Sequence, residues 1–177
     1  MIWRPHLAAW AVLAAALVAL FFRDVSHLVG LWLNSDTFGH CVLIPFVLGW
    51  LVWQRREELA KLTPRPAFTA LPFVAGAALV WLVGDLAGVA LLRHAGIVFL
   101  LQASVPLVFG WTVTRGLVFP LFFALFMIPA GEQLVPYLQI FTAHFSVWLL
   151  EAFGIPAYLD GVFISIPNGD FEVAEAC

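Results

Sequence analysis

A long apolar stretch decides the fold class of this chain. Residues 68–92 read FTALPFVAGAALVWLVGDLAGVALL, with Asp85 as the one charged side chain among them. Similar stretches recur along the 177 residues, of which 63% are hydrophobic and 11% charged. About a quarter of the residues of a soluble domain are charged. The composition therefore predicts an integral membrane protein.

Apolar runs separated by polar connections predict an all-α membrane protein with five transmembrane helices and a sixth helical segment. About 20 residues are needed to cross a bilayer, and the second run is shorter than that. We expect it to cross only if residues 38–40 are part of the same span. Residues 23–39 are predicted to form a mixed loop before it, and Arg93-His94 is predicted to form the turn after the third run. The runs cover residues 7–22, 41–53, 68–92, 97–113, 116–128 and 134–150.

The Lys and Arg residues orient the chain. Residues 54–58 read Gln-Arg-Arg-Glu-Glu and are followed by Lys61 and Arg65, so this loop and the N-terminus are predicted to be cytoplasmic. All eight Lys and Arg residues lie at or before Arg115, and every charged residue after it is an acid. The positive-inside bias disfavours such a tail in the cytoplasm. We therefore predict that run 134–150 is interfacial or re-entrant on the outer side and does not cross fully.

The period of the sequence changes after Pro156. Residues 162–166 are rich in β-branched and aromatic side chains, Asn168-Gly169 is a strong turn signal, and the alternation resumes at residues 171–173. Open strand edges are not tolerated in hydrocarbon, because their backbone groups would be unpaired. The sequence therefore predicts a short outer β-hairpin directly before Cys177.

The composition also excludes several classes of function. The formal net charge is −3 and no basic patch suits a phosphate backbone, so nucleic acid is not an expected partner. The two cysteines, Cys41 and Cys177, are too few for a disulfide framework or a thiolate metal site. No phosphate-binding loop or His-rich constellation is visible, and we expect no metal and no cofactor.

Three segments make the chain resemble the exosortase/archaeosortase family. The first is SDTFGHCVLIP at residues 35–45, followed by WQRR at residues 53–56. The second is FPLFF at residues 119–123 with MIP at residues 127–129. The third, PNGDFEVAEAC at residues 167–177, is similar to the nucleophile motif of the family and is the most specific. The resemblance extends from about Trp32 to Cys177 and predicts a single exosortase-like membrane domain over residues 1–177, incomplete at its C-terminus.

The resemblance implies a polytopic cysteine protease or transpeptidase of the bacterial inner membrane. Such enzymes act on exported proteins with a C-terminal sorting signal, which consists of a Pro-Glu-Pro motif, a membrane helix and basic residues (PEP-CTERM). They are associated with exopolysaccharide production. By this resemblance Cys177 is the nucleophile on the outer face, and the partners are the lipid bilayer and the exported proteins.

The chemistry of a thiol nucleophile needs a neighbouring cation and an acid for the leaving amine. The resemblance implies that an Arg and a His downstream of the cysteine supply the cation and the acid. The sequence of residues 1–177 ends at Cys177 and does not include that downstream Arg and His. Glu175 and a carboxylate at Cys177 would raise the pKa of the thiol. We therefore expect residues 1–177 to be inactive alone, either as a fragment or as a truncated product whose missing helices act in trans.

Two questions stay open from the sequence. His40 matches a position of the family, and packing or a cap hydrogen bond explains it as well as catalysis does. The chain also fits a second class, a non-catalytic membrane scaffold or transporter subunit whose acidic outer hairpin binds a partner.

Overall fold

The computed structural model describes residues 2–35, 37–130, 135–167 and 169–174. They belong to two compact units, Met1–Pro129 and Ala130–Cys177. The helices of the first unit are α1 (Trp3–Leu20), α2 (Phe22–Asn34), α3 (Ile44–Gln54), α4 (Arg56–Ala60), α5 (Leu71–Leu86), α6 (Ala90–Phe109), α7 (Trp111–Gly116) and α8 (Val118–Phe123). The 3-10 turns Gly39–Leu43, Phe68–Ala70 and Ala124–Met127 complete it.

The described residues contain three helices that are long and apolar enough to cross a membrane. These are Trp3–Leu20, Phe68–Leu86 and Ala90–Phe109. A fourth span is present if Phe22–Asn34 and Gly39–Gln54, which meet at a bend of 115°, form one broken span. The expectation of five spans is therefore corrected to three or four. One span is lost in run 116–128, where the apolar helix Val118–Met127 is too short to cross, and a second is lost if the bent pair, which contains run 41–53, does not cross.

Helix α2 replaces the loop that the sequence predicted at residues 23–39. Its mean hydropathy is held down by polar residues, but its apolar side chains recur at helical spacing. Leu28 and Trp32, four residues apart, are both buried and pack with Phe38 and Cys41. An amphipathic helix of this kind is stabilised by one buried face. The mean hydropathy of the segment does not show such a face, and the helix was therefore not predicted.

Helices α5 and α6 form a tightly packed hairpin. Its turn lies at residues 87–89, where Gly88 has a φ of 69°. The prediction of a turn at Arg93-His94 was therefore wrong, and both residues belong to α6. A Cβ on Gly96 would lie 2.6 Å from the backbone nitrogen of Trp81, and one on Gly84 would lie 2.7 Å from that of Arg93. Glycine at these positions lets the two backbones approach.

The second unit combines helix α9 (Val135–Ala152) with a three-stranded antiparallel sheet in the order β1 (Tyr158–Asp160), β2 (Phe163–Ile166) and β3 (Gly169–Glu172). The predicted hairpin corresponds to β2 and β3. Strand β1 was not predicted, because three residues are too few to show an alternation. Gly169 already pairs with Ile166, so it lies in the ladder and not in the turn, and Asn168 lies outside the described residues.

Helix α9 is not among the candidate spans. Its interfacial or re-entrant placement stays a prediction, as does the single domain over residues 1–177.

Candidate functional site

The chain that leads to the predicted nucleophile is anchored by two hydrogen bonds at Val173. Its backbone N–H donates to the carbonyl oxygen of Val162 at 3.0 Å, which extends the β2–β3 ladder by one residue. Its own carbonyl oxygen accepts a hydrogen bond of 3.0 Å from Nε2 of Gln139 on α9. Cys177 and Glu175 themselves lie outside the described residues. The sheet and α9 thus fix the chain up to a few residues before the cysteine.

One face of the sheet is exposed and acidic. The register places Asp160, Phe163 and Glu172 in one cross-strand row. Tyr158, Ser165 and Asp170 form the next row, and Ser165 Oγ donates to Asp170 Oδ1 at 2.6 Å. All six side chains are exposed. The opposite face carries Ile164, which is buried.

His40 is held locally in the 3-10 turn Gly39–Leu43. Its Nδ1 lies 3.1 Å from the carbonyl oxygen of Thr37, and a carbonyl can only accept, so Nδ1 carries the proton of this bond. Nε2 is then free of a proton in the neutral ring and lies 3.6 Å from Sγ of Cys41. His40 is exposed, so its ring is accessible as well as oriented.

The neighbouring Cys41 resembles half of a Cys–His pair but is fully buried. Its Sγ lies 3.4 Å from the carbonyl oxygen of Phe126 and packs in a cluster with Leu28, Trp32 and Phe38. A thiol enclosed in this way cannot reach the carbonyl carbon of a protein substrate. Cys41 is a small packing residue of this cluster.

A charged cluster joins α2, α5 and α6. Arg93 Nε lies 3.4 Å from Asp24 Oδ1, and Arg93 Nη1 lies 3.6 Å from Asp85 Oδ1. Trp81 Nε1 donates to the second oxygen of Asp24 at 3.0 Å. We call Asp24, Asp85 and Arg93 the charged cluster.

Two histidines lie beside the charged cluster. His27 Nδ1 and His94 Nε2 are 3.1 Å apart, and the rings are stacked with centroids at 5.2 Å. His94 is only 1% exposed. Asp24 and His27 are three residues apart and therefore share one face of α2. That spacing was the available signal, and it went unused because residues 23–39 were assigned to a loop.

No group of three or more His, Cys, Asp and Glu side chains within the described part of the chain could hold a metal ion.

Comparison with known proteins decides the family. The sequence model of the transmembrane exosortase (EpsH) family matches residues 32–177, which is most of the chain. This chain belongs to the transmembrane exosortase family. Exosortases are a family of membrane cysteine transpeptidases. No curated protein and no solved structure matches this exosortase.

The exosortase match includes some of these side chains and omits others. It contains His40, Cys41 and both Arg93 and His94, and it runs to Cys177. It begins at Trp32, after Asp24 and His27. The α2 half of the charged cluster and of the histidine pair therefore lies before the matched region.

Proposed function

We propose that this exosortase is a cysteine protease or transpeptidase that cleaves C-terminal PEP-CTERM sorting signals from exported proteins, in a cell that makes exopolysaccharide. We place it in the exosortase A branch of the family. The observation that carries the proposal is that the family match ends on the motif at residues 167–177, whose last residue is Cys177.

The proposed reaction is acyl transfer through a thioester. The thiolate of Cys177 attacks the carbonyl carbon of the scissile peptide bond, and the carbon–nitrogen bond breaks. The leaving amine takes a proton from a general acid, and the acyl group stays on sulfur. Water or an amine then attacks the thioester and releases the thiol. The anchored backbone of Val173 supports this role, because an attacking atom must be held in position.

We further propose that the active thiol lies on the outer side of the inner membrane and the N-terminus on the cytoplasmic side. Three facts support this placement. The loop with Arg55, Arg56 and Lys61 is the most cationic part of the chain, the charged residues after Arg115 are all acids, and α9 is not a candidate span.

The experiment that tests the nucleophile compares the two cysteines. The open reading frame that encodes these residues is expressed with a tagged substrate carrying a PEP-CTERM signal. Cys177→Ala should abolish cleavage, whereas Cys41→Ser, which alters only a buried thiol, should leave cleavage within about threefold of the wild type, equivalent to ~0.7 kcal/mol in the barrier. Cleavage at the wild-type rate in the Cys177→Ala variant would remove the nucleophile assignment. Residues 1–177 expressed alone should not cleave the substrate.

We propose His40 and Glu175 as accessory residues. For His40, a catalytic role and a structural one make different predictions. His40→Gln keeps an N–H that can donate to the Thr37 carbonyl, so a structural role predicts near-normal cleavage. A role in proton transfer predicts a loss of roughly 100-fold or more in that variant, because an amide does not titrate.

The second class of function remains a defined alternative. A non-catalytic scaffold or transporter subunit is favoured by the exposed acidic face of the sheet, on which Asp160, Asp170 and Glu172 lie together. In that case Asp170→Asn combined with Glu172→Gln should release a co-purifying partner, while Cys177→Ala should have no effect on the phenotype. The enzymatic proposal predicts the reverse sensitivity for Cys177.

A further inference from the structure

The first unit contains a cavity of about 520 Å³ between α1, α3, α6 and α8. Its walls are almost entirely apolar. Trp10 of α1, Gly49 of α3, Val98 of α6 and Leu121 of α8 lie on its four sides. All of the residues that line it belong to the first unit.

Three side chains of this wall donate hydrogen bonds to other groups of the protein. Trp3 Nε1 donates to the carbonyl oxygen of Leu62 at 3.2 Å, and Trp10 Nε1 donates to Ser104 Oγ at 2.9 Å. Gln102 Nε2 donates to the carbonyl oxygen of Leu121 at 2.9 Å. The lining is otherwise almost entirely apolar, and an apolar cavity disfavours water and accepts hydrocarbon. The ligand chemistry that fits this wall is therefore an alkyl chain.

The length of the cavity matches one leaflet of a bilayer. Along α6 its lining extends from Val98 to Phe109, which is about 16 Å at 1.5 Å per residue. The hydrocarbon core of a bilayer is ~30 Å thick, so one leaflet is about half of that. A single acyl chain that enters from one membrane surface would therefore reach the far end of the cavity.

One end of the cavity is closed by residues 55–65, which carry four of the eight Lys and Arg residues. Trp3 bonds to Leu62, the backbone N–H of Arg65 donates to the carbonyl oxygen of Phe109 at 3.1 Å, and Arg55 Nη1 donates to the carbonyl oxygen of Gly116 at 2.9 Å. These bonds hold residues 55–65 against the end formed by Trp3 and Phe109.

The charge at this end is strongly positive. Every Lys and Arg of the chain except Arg23 and Arg93 belongs to it, against the acids Glu57 and Glu58. The pair of Arg56 with Glu57, at 3.7 Å, is the one ion pair formed there within the described residues. Arg4, Lys61 and Arg115 are exposed and form no ion pair in that part of the chain. Such a cluster attracts anionic headgroups.

We propose that the first unit binds an anionic phospholipid, with one acyl chain in this cavity and the headgroup among the cations at its end. All of the residues that line this site belong to the first unit, and the proposal does not rest on the proposed acyl-transfer chemistry. Cavity lining, cavity length and charge each point to the same ligand, in which a hydrocarbon chain of one leaflet ends in a net negative headgroup.

The test counts the lipids that stay bound. The chain is reconstituted in vesicles of equal parts phosphatidylglycerol and phosphatidylethanolamine, transferred to mild detergent and analysed by native mass spectrometry. We expect phosphatidylglycerol to be retained at one molecule per chain in preference to phosphatidylethanolamine. Retention of the two lipids in the proportion of the vesicle would overturn the proposal.

Two matched glycine variants distinguish lipid bound in this cavity from lipid bound elsewhere on the surface of the protein. A Cβ on Gly49 or on Gly76 would meet no atom within 4 Å, so a larger side chain fits at either position. Gly49 lines the proposed site, whereas Gly76 lines a different cavity on α5. Gly49→Phe should lose the bound phosphatidylglycerol and Gly76→Phe should keep it. Equal retention by the two variants contradicts the proposal.

The headgroup contact is tested by exposed side chains whose replacement leaves the core intact. Arg115→Gln and Lys61→Gln should each lower the retention of phosphatidylglycerol about fivefold, the effect of one surface cation on an anionic lipid. Retention of phosphatidylethanolamine should not change. The variant that combines Arg115→Gln with Lys61→Gln is measured as well. Unchanged retention of phosphatidylglycerol in this double variant would show that charge does not select the ligand, and would overturn the proposed binding of the headgroup by these cations.

Discussion

At the scale of single residues, Arg93 forms the ion pairs that join α2, α5 and α6. It is the cation for both Asp24 and Asp85, and its side chain is 28% exposed. Arg93→Gln leaves two carboxylates without a counter-charge, and we expect it to destabilise the first unit by roughly 2 kcal/mol, below the cost of a fully buried pair. Thermal unfolding in detergent measures this.

Asp85→Asn is the matched control for Arg93. The side chain of Asp85 is 48% exposed, so its pair with Arg93 is screened by solvent, and we expect a change below about 1 kcal/mol. Asp24, at 14% exposed, keeps Arg93 paired in that variant. Equal losses of stability in the Arg93 and Asp85 variants would show that the charged cluster does not depend on its common cation.

Gln139 donates a hydrogen bond from α9 to the segment that follows β3. Gln139→Leu removes the donor to the carbonyl oxygen of Val173, and the loss of one such hydrogen bond is worth ~1 kcal/mol. We expect backbone amides of β3 to exchange with solvent about fivefold faster in this variant, measured by hydrogen–deuterium exchange. Thr142→Ala is the control, because Thr142 is exposed on the same helix. Similar acceleration in both variants would contradict the role of Gln139.

At the scale of elements, the α5–α6 hairpin depends on two glycines. Gly96→Ala places a methyl group against the backbone of Trp81, which cannot move without separating the helices, and we expect a loss of about 1–3 kcal/mol. Gly76→Ala lies on α5 in open space and should be neutral or slightly stabilising. The two variants are compared by thermal unfolding of the protein in the same detergent. A neutral Gly96→Ala would show that the helices do not pack as closely as described.

The elements that sequence reasoning located are those whose pattern is local and strong. The β2–β3 hairpin follows from β-branched residues around a turn signal, and α1 follows from an uninterrupted apolar run. Helix α2 was missed by apolar content, because Arg23, Asp24, Ser26 and His27 interrupt the apolar run ahead of its buried residues Leu28 and Trp32. The hairpin turn was misplaced because Arg93 and His94 are polar for a tertiary reason, namely their contacts with Asp24 and His27.

The candidate site divides in the same way. The motif around Cys177 is a continuous segment and can be recognised from the sequence alone. The contact of Gln139 with Val173, by contrast, joins positions that are far apart in the chain. No local pattern marks Gln139 as the partner of that carbonyl, since an isolated glutamine on an apolar helix is equally compatible with a lipid headgroup or with solvent.

At the scale of the whole molecule, the two cysteines report the arrangement of the chain in the membrane. In intact cells a membrane-impermeant maleimide should label Cys177 and should not label Cys41, because the Cys41 thiol is buried. The Cys177→Ala variant should then show no labelling before denaturation. Labelling of Cys177 only after lysis would place it in the cytoplasm and would contradict the proposed orientation.

The short connection between α5 and α6 has a consequence for the life of the protein in the cell. Only residues 87–89 separate the two helices, so the closure entropy of their pairing is small and they can associate soon after leaving the ribosome. Sequences translated later, including the one that ends at Cys177, meet a hairpin that has already formed. Substitutions at Gly96 should therefore act as biogenesis defects: less protein survives quality control, while each surviving molecule works at its usual rate.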